Sequence, residues 1–597
     1  MNKIKNRASS ILTVLISIVC GNILSAQTAM INSASRQLTS LNGEWNVIID
    51  PTDNGEWRKI WLEEIPQKKT DFFEYSFDGS PVLKVPGDFN SQRCELTFFE
   101  GTVWYKKQFM YTQDSTKRLF IHFGAVNYFA DVYLNGQKIG SHEGGFTPFQ
   151  FEITNSVKKG SNNLIVKTNN QRLENSLPGL GFDWLNFGGI TRDVDLINTS
   201  NTFIEDYFIQ LKKGSLDTVN GWVDLNGNSP EQKIKIKIPE LNFTYTTTSN
   251  KTGFAEIEFE NTFELWSPKT PKLYEVIIES ETDTILDNIG FRSIEVLSNN
   301  IYLNKEPVFL KGVNIHEENP YTGSRAFSLD DAKLLLNTAK DLGCNMVRLA
   351  HYPHNENMIR EAEKMGLVVW TELPIYQHIK FSDSAALNKM ETMLNEMIRR
   401  DRNRCGTIIW SLSNETYSFT PNRDKALIEL TQKCRELDST RLIVHVINNQ
   451  GYDNNTFNVW DTLYKYSDII SINEYIGWYV PWQGKPSETK WKMVYPEKPV
   501  FISEFGGEAL YGSNYGPQDE AAYWTEEYQM NIYKNQIEMF GTVPNLCGVC
   551  PWLLFDYKSL GRMHPIYQNG YNRKGLLSED GKKKKAWYIM NDYFNKK

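Results

Sequence analysis

Beyond residue 26 the sequence has no apolar run near the roughly 20 residues that a membrane helix requires, so no membrane span is expected. Positive charge is not in excess either. Lys and Arg number 64 against 72 Asp and Glu, a net charge of −8, which gives no support to a nucleic-acid partner, since that wants a basic face. The same balance gives no long-range pull on an acidic substrate, so any such preference must come from local side chains. Cysteine is sparse, and Cys94, Cys344, Cys405, Cys434, Cys547 and Cys550 are too scattered for a disulfide framework. Cys547 and Cys550 spell a CxxC, but it runs straight into Pro551-Trp552-Leu553-Leu554-Phe555 and reads as buried strand, with no second CxxC to complete a zinc site. Histidine is scarce too. His351 and His354 are three apart with Pro353 between them and cannot share a helical face as a zinc pair does. No metal and no cofactor are expected.

What is present begins with residues 1–26. Lys3, Lys5 and Arg7 precede an apolar stretch over 11–19, and Leu24-Ser25-Ala26 is a small-residue cleavage pattern, as in an export signal. A periplasmic or secreted protein is expected. Lipid attachment at Cys20 is disfavoured, because Ser17-Ile18-Val19 matches a lipoprotein signal poorly.

At 597 residues the chain is too long for one core. Residues 27–200 carry short strand patterns, with Asn135-Gly136 as a hairpin turn, and predict a jelly-roll β-sandwich. Residues 201–297 continue as strands and suit an immunoglobulin-like sandwich. From 298 to 597 strand-like runs alternate with helical segments such as 355–364 and 385–400. Eight strands (308–313, 346–349, 368–371, 407–411, 442–445, 469–472, 500–503 and 548–553) predict a (β/α)8 TIM barrel. Lys582 to Lys585 reads as a solvated charge run.

Two of these apolar runs end in glutamate: Thr407 to Glu415, and Pro499 to Glu504. A barrel places its chemistry at the C-terminal strand tips, and strands four and seven bring two such tips across one mouth. Paired carboxylates there equip a retaining glycoside hydrolase. Asn414 would aim an amide at the sugar 2-hydroxyl, which makes Glu415 the acid/base and Glu504 the nucleophile. His316 and His351 read as hydrogen-bonding groups on the pocket floor, Trp552 at the end of strand eight as a sugar platform, and Arg348 as the residue that orients the nucleophile.

The strings Leu41-Asn42-Gly43-Glu44-Trp45, Gly290-Phe291-Arg292, Leu310-Lys311-Gly312-Val313-Asn314, Val347-Arg348-Leu349-Ala350-His351-Tyr352-Pro353 and Ile409 to Glu415 resemble glycoside hydrolase family 2 over nearly the whole chain after residue 26. The resemblance implies the same three-domain order, retention of configuration, and the two glutamate roles just given. Within the family the chain is most similar to the β-glucuronidases. That similarity implies a jelly-roll aspartate, Asp183, lent to the sugar site. It also implies Asn473, Tyr475 and Tyr479 near the catalytic pair, and Asn572 and Lys574 on the uronate carboxylate. Gln568 stands where some β-glucuronidases carry arginine, and Arg404-Cys405 replaces the usual His-Pro. The segment 374–385 is short, which implies a site open to oligosaccharide ends. The expected activity is exo-release of terminal β-linked glucuronic acid from a carbohydrate partner. A β-galactosidase or β-galacturonidase on the same fold is the alternative, and a non-catalytic carbohydrate-binding protein the remote one. Homo-oligomerisation is compatible with the sequence.

Overall fold

The computed structural model describes residues 25–597 apart from 64–67, 69, 71–74, 113, 115, 418–419, 449–450 and 515–521. The basic and apolar parts of the expected export signal, with Cys20, lie outside the described residues.

The N-terminal domain is a jelly roll of two antiparallel sheets. One has six strands, including Gly43–Asp50, Thr102–Tyr111, Gly160–Asn169 and Phe129–Leu134. The other has five, centred on Lys117–Phe123 between Phe149–Glu152 and Val194–Ser200. Trp45, Tyr105 and Val166 from the first sheet pack with Phe123 and Phe149 from the second. Each such buried side chain stabilises by about 1.5–3 kcal/mol. Asn135 and Gly136 both have positive φ, 51° and 84°, as a two-residue hairpin turn demands.

The next domain pairs a three-stranded sheet (Thr202–Leu211, Thr218–Gly227, Phe254–Glu260) with a four-stranded one (Phe243–Thr248, Lys233–Ile238, Tyr274–Glu279, Thr284–Ile289). Lys233–Ile238 shows why it folds so. Its isoleucines Ile234, Ile236 and Ile238 are fully buried while the intervening lysines face outward, the period-two pattern of a one-sided sheet. Arg404, in the unusual Arg404-Cys405 pair, bridges this domain to the barrel by pairing with Asp287 and with Glu363 at 2.8 Å.

The C-terminal domain is a parallel barrel. Its first strand is split: Leu310–Lys311 pairs with the last strand, Leu546–Val549, and Asn314–Ile315 pairs with the second, Met346–Leu349, which closes the ring. Between them run Val368–Glu372, Thr407–Asn414, Leu442–Asn448, Ile470–Asn473 and Val500–Glu504. The helices Leu329–Asp341, Glu356–Lys364, Ser384–Asp401, Pro421–Leu437 and Glu526–Phe540 lie in the crossovers, the first begun by a Ser328/Asp331 capping box. After strands five and six the α-helix gives way to the short turns Thr462–Lys465 and Pro486–Glu488.

The eighth strand corrects the sequence reading. It ends at Val549, and the apolar run 551–555 leaves the sheet. Pro551 has no N–H to continue the ladder. Trp552 is therefore a loop residue over the mouth and does not end a strand. The lysine run is also corrected, because Lys584 is wholly buried. No helix among the described residues is long and apolar enough to cross a membrane.

Candidate active site

A cavity of about 370 Å³ opens at the C-terminal ends of the barrel strands, and both Glu415 and Glu504 line it. Glu504 is the last residue of strand seven and sits in register beside Asn473 of strand six. Glu415 follows strand four directly. Its φ of 52° lies in the left-handed region, which residues with a β-carbon rarely adopt. Such a conformation costs about 1–3 kcal/mol and persists only where surrounding contacts hold it. Here the Glu415 N–H donates to the Val446 carbonyl at 2.9 Å. Its carboxylate accepts from Asn473 Nδ2 at 3.0 Å and Gln377 Nε2 at 3.1 Å.

The Glu504 carboxylate is held differently. It accepts from Arg348 Nη1 at 2.9 Å and from the Tyr475 hydroxyl at 2.7 Å. Burial lifts its pKa above the ordinary carboxylate value, Arg348 and His351 oppose that lift, and Glu415 adds to it. Arg348 also grips Glu372 bidentately and donates to Asn414 Oδ1 at 2.8 Å. Glu372 is buried, which would raise it, yet Arg348 and the hydrogen bonds from His351 and Ser411 hold it at about 2. It is a fixed anion. The Asn414 Nδ2 is buried with no hydrogen-bond partner among the described residues.

The same cavity is lined by Asp183, Tyr479, Asn572 and Lys574. Lys574 Nζ donates to the Tyr479 hydroxyl at 2.8 Å and lies 3.6 Å from Glu508. Asn572 Nδ2 reaches Asp183 at 3.3 Å and the Tyr557 hydroxyl at 3.1 Å. Asp183 arrives from the jelly roll on a segment tied to the barrel by the Leu185 N–H to Lys558 carbonyl bond, 3.0 Å. Burial pushes its pKa up, but Arg562, Ser559 and Lys574 together bring it below the ordinary value. Trp552 lines the cavity with its ring stacked on His351, 4.7 Å between centroids.

Three sequence candidates do not reach the wall. Asn414 and Arg348 are buried behind the two glutamates. His316 lies behind Trp552 and Tyr557 with Nδ1 on the Tyr352 hydroxyl at 3.2 Å, and burial pushes its pKa well down. It is a packing group that supports the floor.

The chain matches three family profiles in sequence: the family 2 glycosyl hydrolase sugar-binding domain over residues 38–200, the family 2 glycosyl hydrolase domain over 202–292, and the family 2 TIM-barrel domain over 294–595. It belongs to glycosyl hydrolase family 2. Among curated relatives, it is 26% identical to a β-glucuronidase of Rattus norvegicus over 97% of this chain and 94% of the relative. To the β-glucuronidase of Streptococcus agalactiae it is likewise 26% identical, over 86% and 93%. The solved β-glucuronidase of Ruminococcus gnavus in complex with D-glucuronic acid superposes with a TM-score of 0.80 at 24% identity, covering 96% of this chain and 100% of that one.

For a family 2 hydrolase the strand-tip rule proves incomplete in an instructive way. Val368 to Glu372 and Ile470 to Glu474 also run from apolar strand into glutamate, so the pattern flags four acids and not two. Glu372 is consumed by Arg348 and His351, and Glu474 is buried away from the cavity. Arg562, Gln377, Tyr376 and Trp184 line the cavity from loops that carry no strand or helix period, so nothing in the local pattern marked them.

Proposed function

We propose that the protein is a retaining exo-glycosidase that removes terminal β-linked glucuronic acid from oligosaccharides. Glu504 attacks the anomeric carbon, Glu415 protonates the departing oxygen, and Glu415 then takes a proton from the water that releases the sugar. The carrying observation is that a buried lysine and an amide, Lys574 and Asn572, face the cavity that holds both glutamates. An ammonium with an amide donor suits a carboxylate through charge-assisted bonds. Glu508 cannot satisfy Lys574 fully, because it also serves Arg562, Gln568 and the Arg573 N–H. A neutral sugar would leave that cation with only its share of Glu508, which is how such a site rejects it. The names of the curated relatives support the same reading.

The test is a release assay on aryl β-glucuronide, β-galactoside and β-galacturonide. Glucuronide turnover that falls at least ~100-fold in Lys574→Ala, with a smaller loss on any residual galactoside activity, supports the assignment. Galactoside or galacturonide turnover without glucuronide turnover discards it. The pattern of residues 1–26 supports work outside the cytoplasm, on uronate-bearing fragments of a polysaccharide. Recovery of the uncleaved chain from the cytoplasm would oppose that location.

A further inference from the structure

Lys584 stands in a run of four lysines, yet its side chain and that of Asp556 are each 0% exposed. Its Nζ donates to Asp556 Oδ1 at 2.7 Å and Oδ2 at 2.9 Å, and to the backbone carbonyl of Arg573 at 2.9 Å. Asp556 Oδ1 in turn accepts the Gly575 N–H at 2.9 Å. The two partners therefore grip peptide groups on either side of Lys574. Buried ion pairs are poor devices for stability alone, since desolvation offsets most of their attraction. What this pair adds is a fixed backbone.

The rest of the segment is tied as closely. The Arg573 N–H donates to Glu508 at 3.1 Å, the Lys574 N–H to Asn572 Oδ1 at 3.1 Å, and the Lys574 carbonyl accepts from the Leu553 N–H at 3.3 Å. Every backbone polar group from the Arg573 N–H to the Gly575 N–H has a partner. The segment is also pressed against the loop after strand eight, where a β-carbon on Gly575 would lie 2.2 Å from the Asp556 nitrogen. The other charges around the pair are Arg573, 3.3 Å from Asp556, and Glu579 beyond it.

We propose that Lys584 and Asp556 are positioning residues for the uronate site, holding Lys574 at the cavity wall by clamping the peptide on both of its sides. This rests on the uronate reading above. A recognition group has to be held within a fraction of an ångström, and a misplacement near 1 Å costs on the order of 100-fold. Charge-assisted bonds to the flanking peptides supply that restraint where neutral ones are weaker.

The experiment compares binding of glucuronate and of its neutral isostere glucuronamide by calorimetry, in wild type, Lys584→Met and Asp556→Asn. The Kd ratio isolates the carboxylate. A purely structural loss lowers the active fraction of protein but leaves the ratio unchanged. The preference for glucuronate, Kd for glucuronamide divided by Kd for glucuronate, is expected to fall roughly tenfold or more in variants that still melt cooperatively. A wild type with no preference for glucuronate overturns the uronate reading itself. A wild type with the preference, and folded variants that keep it, overturns the clamp. If Lys584→Met does not fold, Asp556→Asn decides alone, since it keeps an oxygen for the Gly575 N–H. If neither folds, the pair is scaffold and the proposal fails.

Discussion

The Arg348 guanidinium lies 2.9 Å from Glu504 while its Nε and Nη2 hold Glu372, so one buried cation is shared by two buried carboxylates. That sharing leaves Glu504 electrostatically under-compensated, in keeping with burial prevailing in its raised pKa. Removing Arg348 takes away the strongest opposing influence. Arg348→Met is expected to raise the Glu504 pKa further and shift the acid limb of kcat/KM to higher pH, with kcat reduced about 100-fold or more. Arg348→Lys should not rescue it, because one ammonium cannot reproduce the planar fork that reaches Glu372, Asn414 and Glu504 together. A pH–rate profile with an unmoved acid limb would refute the coupling.

Glu415, the proposed acid/base, is bonded by the neutral amides of Gln377 and Asn473. Glu415→Gln is therefore expected to cost about 100- to 10,000-fold on a phenyl glucuronide, whose leaving group needs a proton. On a 2,4-dinitrophenyl glucuronide the first step needs no such help, and added azide, which attacks the glycosyl-enzyme without a general base, should restore turnover. Equal losses on the two substrates, with no azide effect, would remove Glu415 from the acid/base role.

The fold was largely legible because it is written in periods. The alternation of Lys233–Ile238, the helical stretch Ser384–Asp401 and the apolar strands Val368–Glu372 and Thr407–Asn414 each state their own geometry. The site was legible only where it grows from those elements. Glu415 and Glu504 sit at strand tips and follow from strand counting, whereas Asn473, at the tip of strand six, was implied by the family resemblance. Arg562 and Gln377 belong to loops, whose paths depend on contacts remote in sequence, such as Arg562 to Asp183. Lys584 was misread for a related reason: a lysine among lysines looks solvated, and only the fold reveals that Asp556 waits for it. His316 was placed one layer too far forward, since sequence cannot tell a wall residue from the one that props it.

Glu474 and Glu318 impose a pH dependence on stability that the catalytic residues do not need. Both are buried, and burial raises each to about 8. Glu474 accepts from the Ile476 N–H at 3.0 Å and Gln536 Nε2 at 3.1 Å, and among the described residues it pairs with no cation and one of its oxygens has no partner. A carboxyl whose pKa is raised by folding is protonated in the native state while its unfolded counterpart is ionised. Its contribution is full below the ordinary carboxylate range, drains as pH rises and is gone above about 8. Glu474→Gln keeps the neutral shape at every pH. Its melting temperature is expected to match wild type near pH 4.5 and to exceed it by about 2 °C or more at pH 8, with Glu318 still supplying part of the remaining slope. Calorimetric scans across that range check the sign, and a variant that is less stable than wild type at pH 8 would mean that Glu474 is held as an anion after all.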